Sequence, residues 1–399
     1  VVLKTLIKYY DKDILKNISA PLTLKPEKMI FFYDNGIQDM TWFRSLKKCF
    51  KHTMPNVIME HISLDILDMV EIYTKTKKAL EENEDCAMEF TGGSELMLIA
   101  GFKAGAGKGI PLYYTDLVKG VILDLAENKP IANTAKIKLE HFMDARGACL
   151  MGHSHKEPLE ERYEDILNMC DVLFDNINNW KTTSNFIQIV SARFSTQEMR
   201  IKSRIQAIQK NGKKVTPDKK ILYAFQKFGF IRDLKITQEN VSFCFSSPMD
   251  KQYVINYGIW LELFVYIHAK RSEAFDDVWL GALIDWNAYD ASRMAGNEID
   301  VVISDQSMPV FISCKLRSAD TAAVNELMIE KKRIGGWFSK GILVAFGRDK
   351  QEKTATYLRA KEFGIEILDA KDILSARFEQ ILVKTIKEHD LISLKWKKV

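Results

Sequence analysis

From Leu3 to Phe90, short apolar runs alternate with segments of helical periodicity, and this alternation constrains the fold more than any other feature of the chain. Leu3 to Tyr10, Lys28 to Tyr33, Val57 to Ile62 and Ala87 to Phe90 read as strands, rich in β-branched and aromatic residues. Asp13 to Leu24, Thr41 to His52 and Ile66 to Asn83 space their apolar residues as helices do. Strands alternating with helices predict a parallel, doubly wound sheet, whose ligands sit beyond the carboxyl ends of the strands. Two polar stretches fall at such ends: Asp34-Asn35-Gly36, and Thr91-Gly92-Gly93-Ser94 opening the apolar helix Leu96 to Phe102. Paired glycines admit backbone amides to a ligand and a helix N-terminus favours negative charge, although a tight strand-to-helix turn uses the same glycines. Ala104-Gly-Ala-Gly-Lys108-Gly109 lacks the Gly and the Ser or Thr of a nucleotide-binding P-loop. It reads instead as a helix end before the strand Ile110 to Thr115 and a hairpin through Val118 to Leu125.

A second stretch, Gly296 to Leu316, reads as a hairpin: Val301 to Ile303 and Val310 to Ile312 are strand runs, with Asp305-Gln306-Ser307 and Pro309 as turn chemistry. Alternation puts Glu298 and Asp300 on one face of the first strand, and Ser313 and Lys315 on one face of the second. Two acids, a hydroxyl and an amine then converge. Hard oxygen ligands suit magnesium or manganese, and a neighbouring lysine suits a water attacking a phosphodiester. The same charges also fit a half-buried hairpin with solvated ends.

At 399 residues the chain is long for one core, so two or more domains are expected. With 57 basic and 53 acidic residues the net charge is only +4, which permits nucleic-acid binding through local patches without requiring it. The six cysteines form no CxxC pair, which argues against a disulfide framework or a zinc site. No run of eighteen apolar residues and no signal peptide is apparent, so a cytoplasmic protein without membrane association is expected.

Between Glu140 and Asn185 the pattern is helical, and His153-Ser-His155 reads as a polar linker without a third ligand. Asn185 to Ala192, Thr196 to Lys210 and Pro217 to Phe228 read as helix-rich, with strands at Arg232 to Ile236 and Val241 to Phe245. Helices followed by a wing resemble a winged-helix unit, and Lys202, Arg204, Lys210, Lys213, Lys214, Lys219 and Lys220 make it basic. Such a unit holds a duplex or serves as a dimer spacer. Lys251 to Arg271 is expected as one helix carrying Glu262, Val278 to Trp286 as a strand, and Thr321 to Trp337 as a helix. In that last helix Glu330, Lys331, Lys332 and Arg333 offer phosphate contacts or plain solvation. Gly341 to Phe346 and Ile365 to Leu368 read as strands flanking the helix Lys353 to Phe363, and Ala370 to Glu388 as largely helical.

Two resemblances follow from these residues. Glu298-Ile-Asp300, a dozen residues, and a strand ending Ser313-Cys-Lys315-Leu resemble the PD-(D/E)xK motif of the restriction-endonuclease-like fold, over roughly Lys251 to Asp369. That likeness implies Asp300, Lys315, Glu298, Glu262 and Ser313 as catalytic residues, with a Mn2+ or Mg2+ ion on Asp300, Glu298 and Glu262. Ser313 stands where the family carries an acid. The strand ending Thr91-Gly92-Gly93-Ser94 is similar to CARF domains, which dimerise and bind cyclic oligoadenylates made by type III CRISPR complexes. That likeness implies Thr91, Gly92, Gly93, Ser94, Asp34 and Asn35 as ligand-binding residues, with Glu95 where a lysine is common. The expected architecture is α/β: a Rossmann-like CARF domain over 1–145, a linker and winged-helix-like module over 146–250, and a restriction-endonuclease-like domain over 251–399. The implied function is a homodimeric nuclease, activated by a cyclic oligoadenylate (cyclic tetra-adenylate above all), that cuts DNA or RNA. The alternative is a catalytically silent CARF-domain regulator that binds nucleic acid.

Overall fold

The structure is a computed structural model that describes residues 3–153, 157–286, 289, 296–306 and 308–388. The His153-to-His155 linker and Ser307 therefore lie wholly or partly outside the described residues.

The first sheet takes β1 (Thr5–Tyr9), β2 (Lys28–Asp34), β3 (Ile58–Leu64), β4 (Cys86–Glu89), β5 (Leu112–Asp116), β6 (Val121–Asp124) and β7 (Lys129–Asn133) in the order β3-β2-β1-β4-β5-β6-β7. The first five strands are parallel and β6 and β7 add an antiparallel edge, of which β7 escaped the sequence reading. Every residue of β1 and β4 is buried, as central strands covered on both faces must be. Helices α1 (Ile14–Leu24), α2 (Thr41–Thr53), α3 (Met69–Glu82), α4 (Glu95–Ala106) and α5 (Leu139–Arg146) supply that cover. Ile7, Ile30 and Met88 pack on α3 and α4 through Ile72, Leu80 and Ala100. Met29 and Phe31, on the opposite face, pack on α1, α2 and α5 through Ile18, Leu46 and Phe142.

Past α5 the chain forms β8 (Cys149–His153), where the sequence pattern predicts helix. This strand pairs antiparallel with β14 (Asp277–Asp285) and so belongs to the C-terminal sheet. The middle of the chain follows as α6 (Tyr163–Asp175), α7 (Ile177–Ser191), β9 (Arg200–Arg204), β10 (Ala207–Ile208), β11 (Lys214–Val215), α8 (Lys219–Lys227), β12 (Ile231–Ile236) and β13 (Asn240–Phe245). The expected helix Thr196 to Lys210 is not one: β9 joins a three-stranded sheet, β12-β13-β9. In Arg200-Ile201-Lys202-Ser203-Arg204 only Ile201 is buried, a two-residue alternation that suits a half-covered strand and wastes a helix. The expected helix Lys251 to Arg271 is likewise two, α9 (Pro248–Ile255) and α10 (Ile259–Arg271), broken at Asn256 and Gly258.

The C-terminal sheet runs β18-β17-β16-β15-β14-β8, with β15 (Gly296–Asp305), β16 (Met308–Lys315), β17 (Lys340–Ala345) and β18 (Ile365–Leu368). The hairpin read from Gly296 to Leu316 is β15 and β16. One face, with Val301, Ile303, Val310 and Ile312, packs on α10 and on the helices of the middle segment. The other face, with Ile299, Val302, Phe311 and Leu343, shares a single core with α1, α2 and α5 and with α11 (Thr321–Glu330). Helices α1, α2 and α5 are thus sandwiched between the two large sheets, so the N-terminal and C-terminal domains meet through packed apolar side chains. Interiors packed this way transmit displacement instead of absorbing it. No helix among the described residues is long and apolar enough to cross a membrane.

Candidate active site and ligand turn

The ladder between β15 and β16 ends at Val301 opposite Ile312, while β15 stays paired with β14 as far as Gly296 and β16 with β17 as far as Lys315. The two strands therefore fork, with Asp300 on one prong and Ser313, Cys314 and Lys315 on the other. The Asp300 carboxylate closes the fork: its Oδ2 accepts the Cys314 amide at 2.6 Å, faces Ser313 Oγ at 3.4 Å and meets Lys315 Nζ at 3.5 Å.

Strict alternation does not hold on the way into the fork. Val278 and Leu280 of β14 pack in one core and Ala282 and Ile284 in the other, and on β15 the swap falls between Ile299 and Val301. Gly281, at φ 58°, lies opposite Asp300 in the register and supplies the twist that a residue with a Cβ resists. Glu298 is exposed at the rim, and its charge still acts on both Asp300 and Glu262.

Glu262 comes from the first turn of α10. Burial, then the charges of Asp300 and Glu298, push its carboxyl up to about 8. Burial also raises Asp300, against the opposing pull of Lys315 and the Cys314 amide. Burial by itself would lower the Lys315 ammonium, but Asp300 reverses this and holds it above its ordinary value. Glu262, Asp300, Ser313 and Lys315 thus come together, with Glu298 alongside. The sequence reading missed one more carboxyl, Glu330, the last residue of α11, which is only 4% exposed. Burial, then Glu326, raises it to about 7, and it feels the charges of Asp300 and Lys315. Its signal was weak, because a charge beside Lys331 and Lys332 reads as a solvated helix end.

In the N-terminal sheet, Thr91 to Ser94 link β4 to α4. Ser94 caps α4, accepting the Met97 amide at 3.3 Å. Thr91 Oγ1 accepts the Thr115 amide at 2.8 Å and bonds to Glu89, whose carboxylate is wholly buried against Lys8 of β1. Gly93 sits at φ 109°, and a Cβ there would come within 2.6 Å of Tyr9 Cβ. Its amide donates to Asp11 Oδ2 at 3.2 Å. The glycines are thus dictated by close approach to β1, and the Gly93 amide is already engaged. Asp34 and Asn35 end β2 at the same edge, with Asp34 Oδ1 accepting the Gly36 amide at 2.9 Å and the Asn35 amide donating to Leu64 O at 2.9 Å. In the order β3-β2-β1-β4-β5 the switch point falls between β1 and β4, where crevices of doubly wound sheets open. The loop after β1, Tyr10 to Lys16, is therefore part of this edge. The polar run Asp11-Lys12-Asp13 straight after a buried strand was its sequence signal.

Among the described residues, no group of three His, Cys, Asp or Glu side chains stands in metal-holding geometry.

Residues 250–385 match the family model described as the Card1-like endonuclease domain. No curated protein matches the chain in sequence. Among solved structures, Can2 from Sulfobacillus thermosulfidooxidans in complex with cyclic tetra-adenylate is similar over 96% of this chain and 99% of its own, at 16% identity and TM-score 0.70. Protein VC1899 from Vibrio cholerae is similar over 96% and 99%, at 13% identity and TM-score 0.76. A type III CRISPR defence DNA nuclease activated by cyclic oligoadenylate matches 86% of this chain and 45% of its own, at 15% identity and TM-score 0.52. At such identities the likeness is one of fold. Residues 250–385 thus match a Card1-like endonuclease domain, in a chain that shares the overall fold of Can2 and VC1899.

Proposed function

We propose that the protein is a metal-dependent nuclease of type III CRISPR antiviral defence, switched on by a cyclic oligoadenylate bound at the carboxyl edge of its N-terminal sheet. The observation that carries this reading is the fork between β15 and β16, which gathers Asp300, Ser313 and Lys315 beside Glu262 of α10. Two buried carboxyls, Glu262 raised by burial and by Asp300, and Asp300 raised by burial and by Glu298, form a donor set of hard oxygens short of positive charge, and a divalent cation relieves that shortage. Asp300 and Glu262 would hold Mg2+ or Mn2+, with phosphate and water oxygens completing the shell. When bound, such an ion polarises a phosphate oxygen and lowers the pKa of a bound water. Lys315, held charged by Asp300, offers a fixed positive charge to the negative charge that grows on the phosphate during attack. Ser313 Oγ offers a hydroxyl to the same space.

The exposed basic residues of the middle segment, Lys202, Arg204, Lys210, Lys213, Lys214, Lys219 and Lys220, supply phosphate contacts for a DNA or RNA substrate. A ring-shaped activator with its own rotational symmetry fits across a two-fold axis, so a homodimer is part of the proposal. Solved structures of the same fold are described with cyclic tetra-adenylate bound or as activated by cyclic oligoadenylate, which supports the choice of activator. Ser313 in place of an acid favours one rival, a regulator that binds nucleic acid without cutting it. Incubation of the full chain with DNA and with RNA, with and without cyclic tetra-adenylate, in Mn2+, Mg2+ or chelator, separates the two. Cleavage that needs both activator and metal supports the nuclease; activator-dependent binding without cleavage in any metal supports the regulator.

A further inference from the structure

Six basic residues and no acidic one fall between positions 199 and 217, the stretch that supplies β9. In the three-stranded sheet β12-β13-β9, Ile201, Val241, Phe243 and Phe245 point inward, into the core that also holds Trp260 of α10. Alternation then turns Arg200, Lys202 and Arg204 of β9 outward, and all three are exposed. The register sets these three opposite Cys244, Ser242 and Asn240 of β13, and on the far side of β13 it sets Arg232 opposite Cys244 and Lys235 opposite Ser242. Residues opposite one another share a face. The outer face therefore carries two rails of long cations about 10 Å apart, two strand spacings, with the short side chains of the middle strand between them.

Lys235 follows Arg232 by three positions, and in a regular strand the two would point to opposite faces. An extra residue brings them together: the register shifts between them, and Asp233, at φ 56°, takes the left-handed conformation there. Bulges of this kind re-aim a side chain. The bulge is held from two sides, since the Leu234 amide donates to Gln226 Oε1 of α8 at 2.8 Å and Asp233 Oδ2 accepts from Arg200 at 3.0 Å. Asp233 neutralises Arg200 alone. Lys202, Arg204, Arg232 and Lys235 have no ion-pair partner among the described residues. Glu198 precedes β9 and Glu239 lies in the β12 to β13 turn, and neither forms an ion pair among the described residues.

Two rails of unpaired cations flanking a shallow polar trough complement a polyanion with regularly spaced charges, which is what a nucleic-acid backbone presents. The inner face of the sheet packs towards α10, whose first turn carries Glu262, so the outer face is turned away from the fork. We propose that this outer face holds the sugar-phosphate backbone of DNA or RNA on a second surface, separate from the fork, so that a long strand is gripped here while another part of it is cut. The inference rests on reading the protein as one that acts on nucleic acid. Contacts of this kind fix position without reading bases.

Fluorescence anisotropy of labelled duplex DNA and single-stranded RNA tests it, on the parent, on Arg232→Gln with Lys235→Gln, and on Arg232→Lys with Lys235→Arg, each at several salt concentrations. The neutralised protein is expected to bind roughly tenfold more weakly whatever the sequence, and its slope of log affinity against log salt should fall by about 1.8 for duplex DNA, two phosphate contacts at about 0.9 each. The charge-preserving protein should bind like the parent. This measurement reads the face whether or not the chain cuts. In cleavage assays with Mn2+ and cyclic tetra-adenylate, neutralisation should raise KM for a long DNA or RNA far more than for an oligonucleotide too short to reach from the fork to the sheet. Equal affinity and slope in the parent and the neutralised protein overturn the proposal. Equal losses in the neutralised and charge-preserving proteins also overturn it, because charge is then not what the face offers. Equal losses for long and short substrates put these cations at the fork and overturn the second surface. A parent that binds neither probe at any salt removes the nucleic-acid reading itself, a result distinct from the others.

Discussion

Asp300 Oδ2 stands 3.5 Å from Lys315 Nζ and 2.6 Å from the Cys314 amide, so a single carboxylate oxygen bridges the fork between β15 and β16. The two side chains are only 18% and 27% exposed, and a pair so far removed from water spends much of its attraction on desolvation. Its effect is positional: it keeps the lysine charged and aimed at the space between the strands, where a phosphate would lie.

Asp300→Asn keeps an acceptor for the Cys314 amide and removes the charge. We expect cleavage to fall by about 100-fold or more, with cyclic tetra-adenylate affinity unchanged, since the variant lies across the interdomain core from the Thr91 to Ser94 turn. The Lys315 pKa should fall as well, because burial is then opposed by less negative charge. Nuclease assays, calorimetry and NMR titration of the lysine read the three outcomes. Cleavage at the parent rate would place the chemistry elsewhere.

Glu330 carries a pH signature. Its carboxyl titrates near 7 in the folded chain, against an ordinary value of 4.5, so between those values the folded state binds more protons than the unfolded state. Its contribution is intact below about 4.5 and is lost as pH rises through about 7. Glu330→Gln removes this dependence: relative to the parent, the variant should gain stability from pH 5 to about pH 7 and level off above it. Urea denaturation across that range measures it, and a constant difference between parent and variant would sink the assignment.

What could be read beforehand had a simple period. The central strands β1 and β2 of the N-terminal sheet are nearly continuous apolar runs because both faces are covered, and the β15 to β16 hairpin shows as two such runs around turn residues. What could not be read depends on partners distant in sequence. Arg200 to Arg204 looks like a charged helix until β13 is seen beside it, and β8 carries no sign of its place against β14, more than a hundred residues later. Glu330 resembles a surface charge because its burial comes from packing of α11 against the sheet, and the swap of faces at Asp300 depends on a glycine in the neighbouring strand.

Gly93 separates a packing role from a binding role. Its φ of 109° and the 2.6 Å approach of a would-be Cβ to Tyr9 mean that even alanine strains the turn. We expect Gly93→Ala to cost about 1–3 kcal/mol of stability and to weaken the activator. Denaturant unfolding and calorimetry measure the two. Unchanged stability with lost binding would show that the glycine serves the ligand alone.

Ser313 tests whether the fork is catalytic at all. Its Oγ lies 3.4 Å from Asp300 Oδ2, so a carboxylate placed there by Ser313→Glu would stand among Asp300, Glu262 and Lys315. Without a cation, a third acid raises its neighbours further, and the apo variant should be less stable at pH 8 than at pH 5 by more than the parent is. With Mn2+ present the same charge strengthens the attraction for the ion, so Ser313→Glu should bind metal more tightly and cut at least as fast as the parent. Glu298, exposed at the rim but already acting on Asp300 and Glu262, would be the parent's substitute for that missing charge. Glu298→Ala should therefore be more damaging in the parent than in the Ser313→Glu background, a coupling that a double-mutant cycle of cleavage rates and metal affinity reads directly. If Ser313→Glu neither binds metal more tightly nor cleaves, and Glu298→Ala is silent in both backgrounds, the fork is a structural hairpin and the regulator replaces the nuclease.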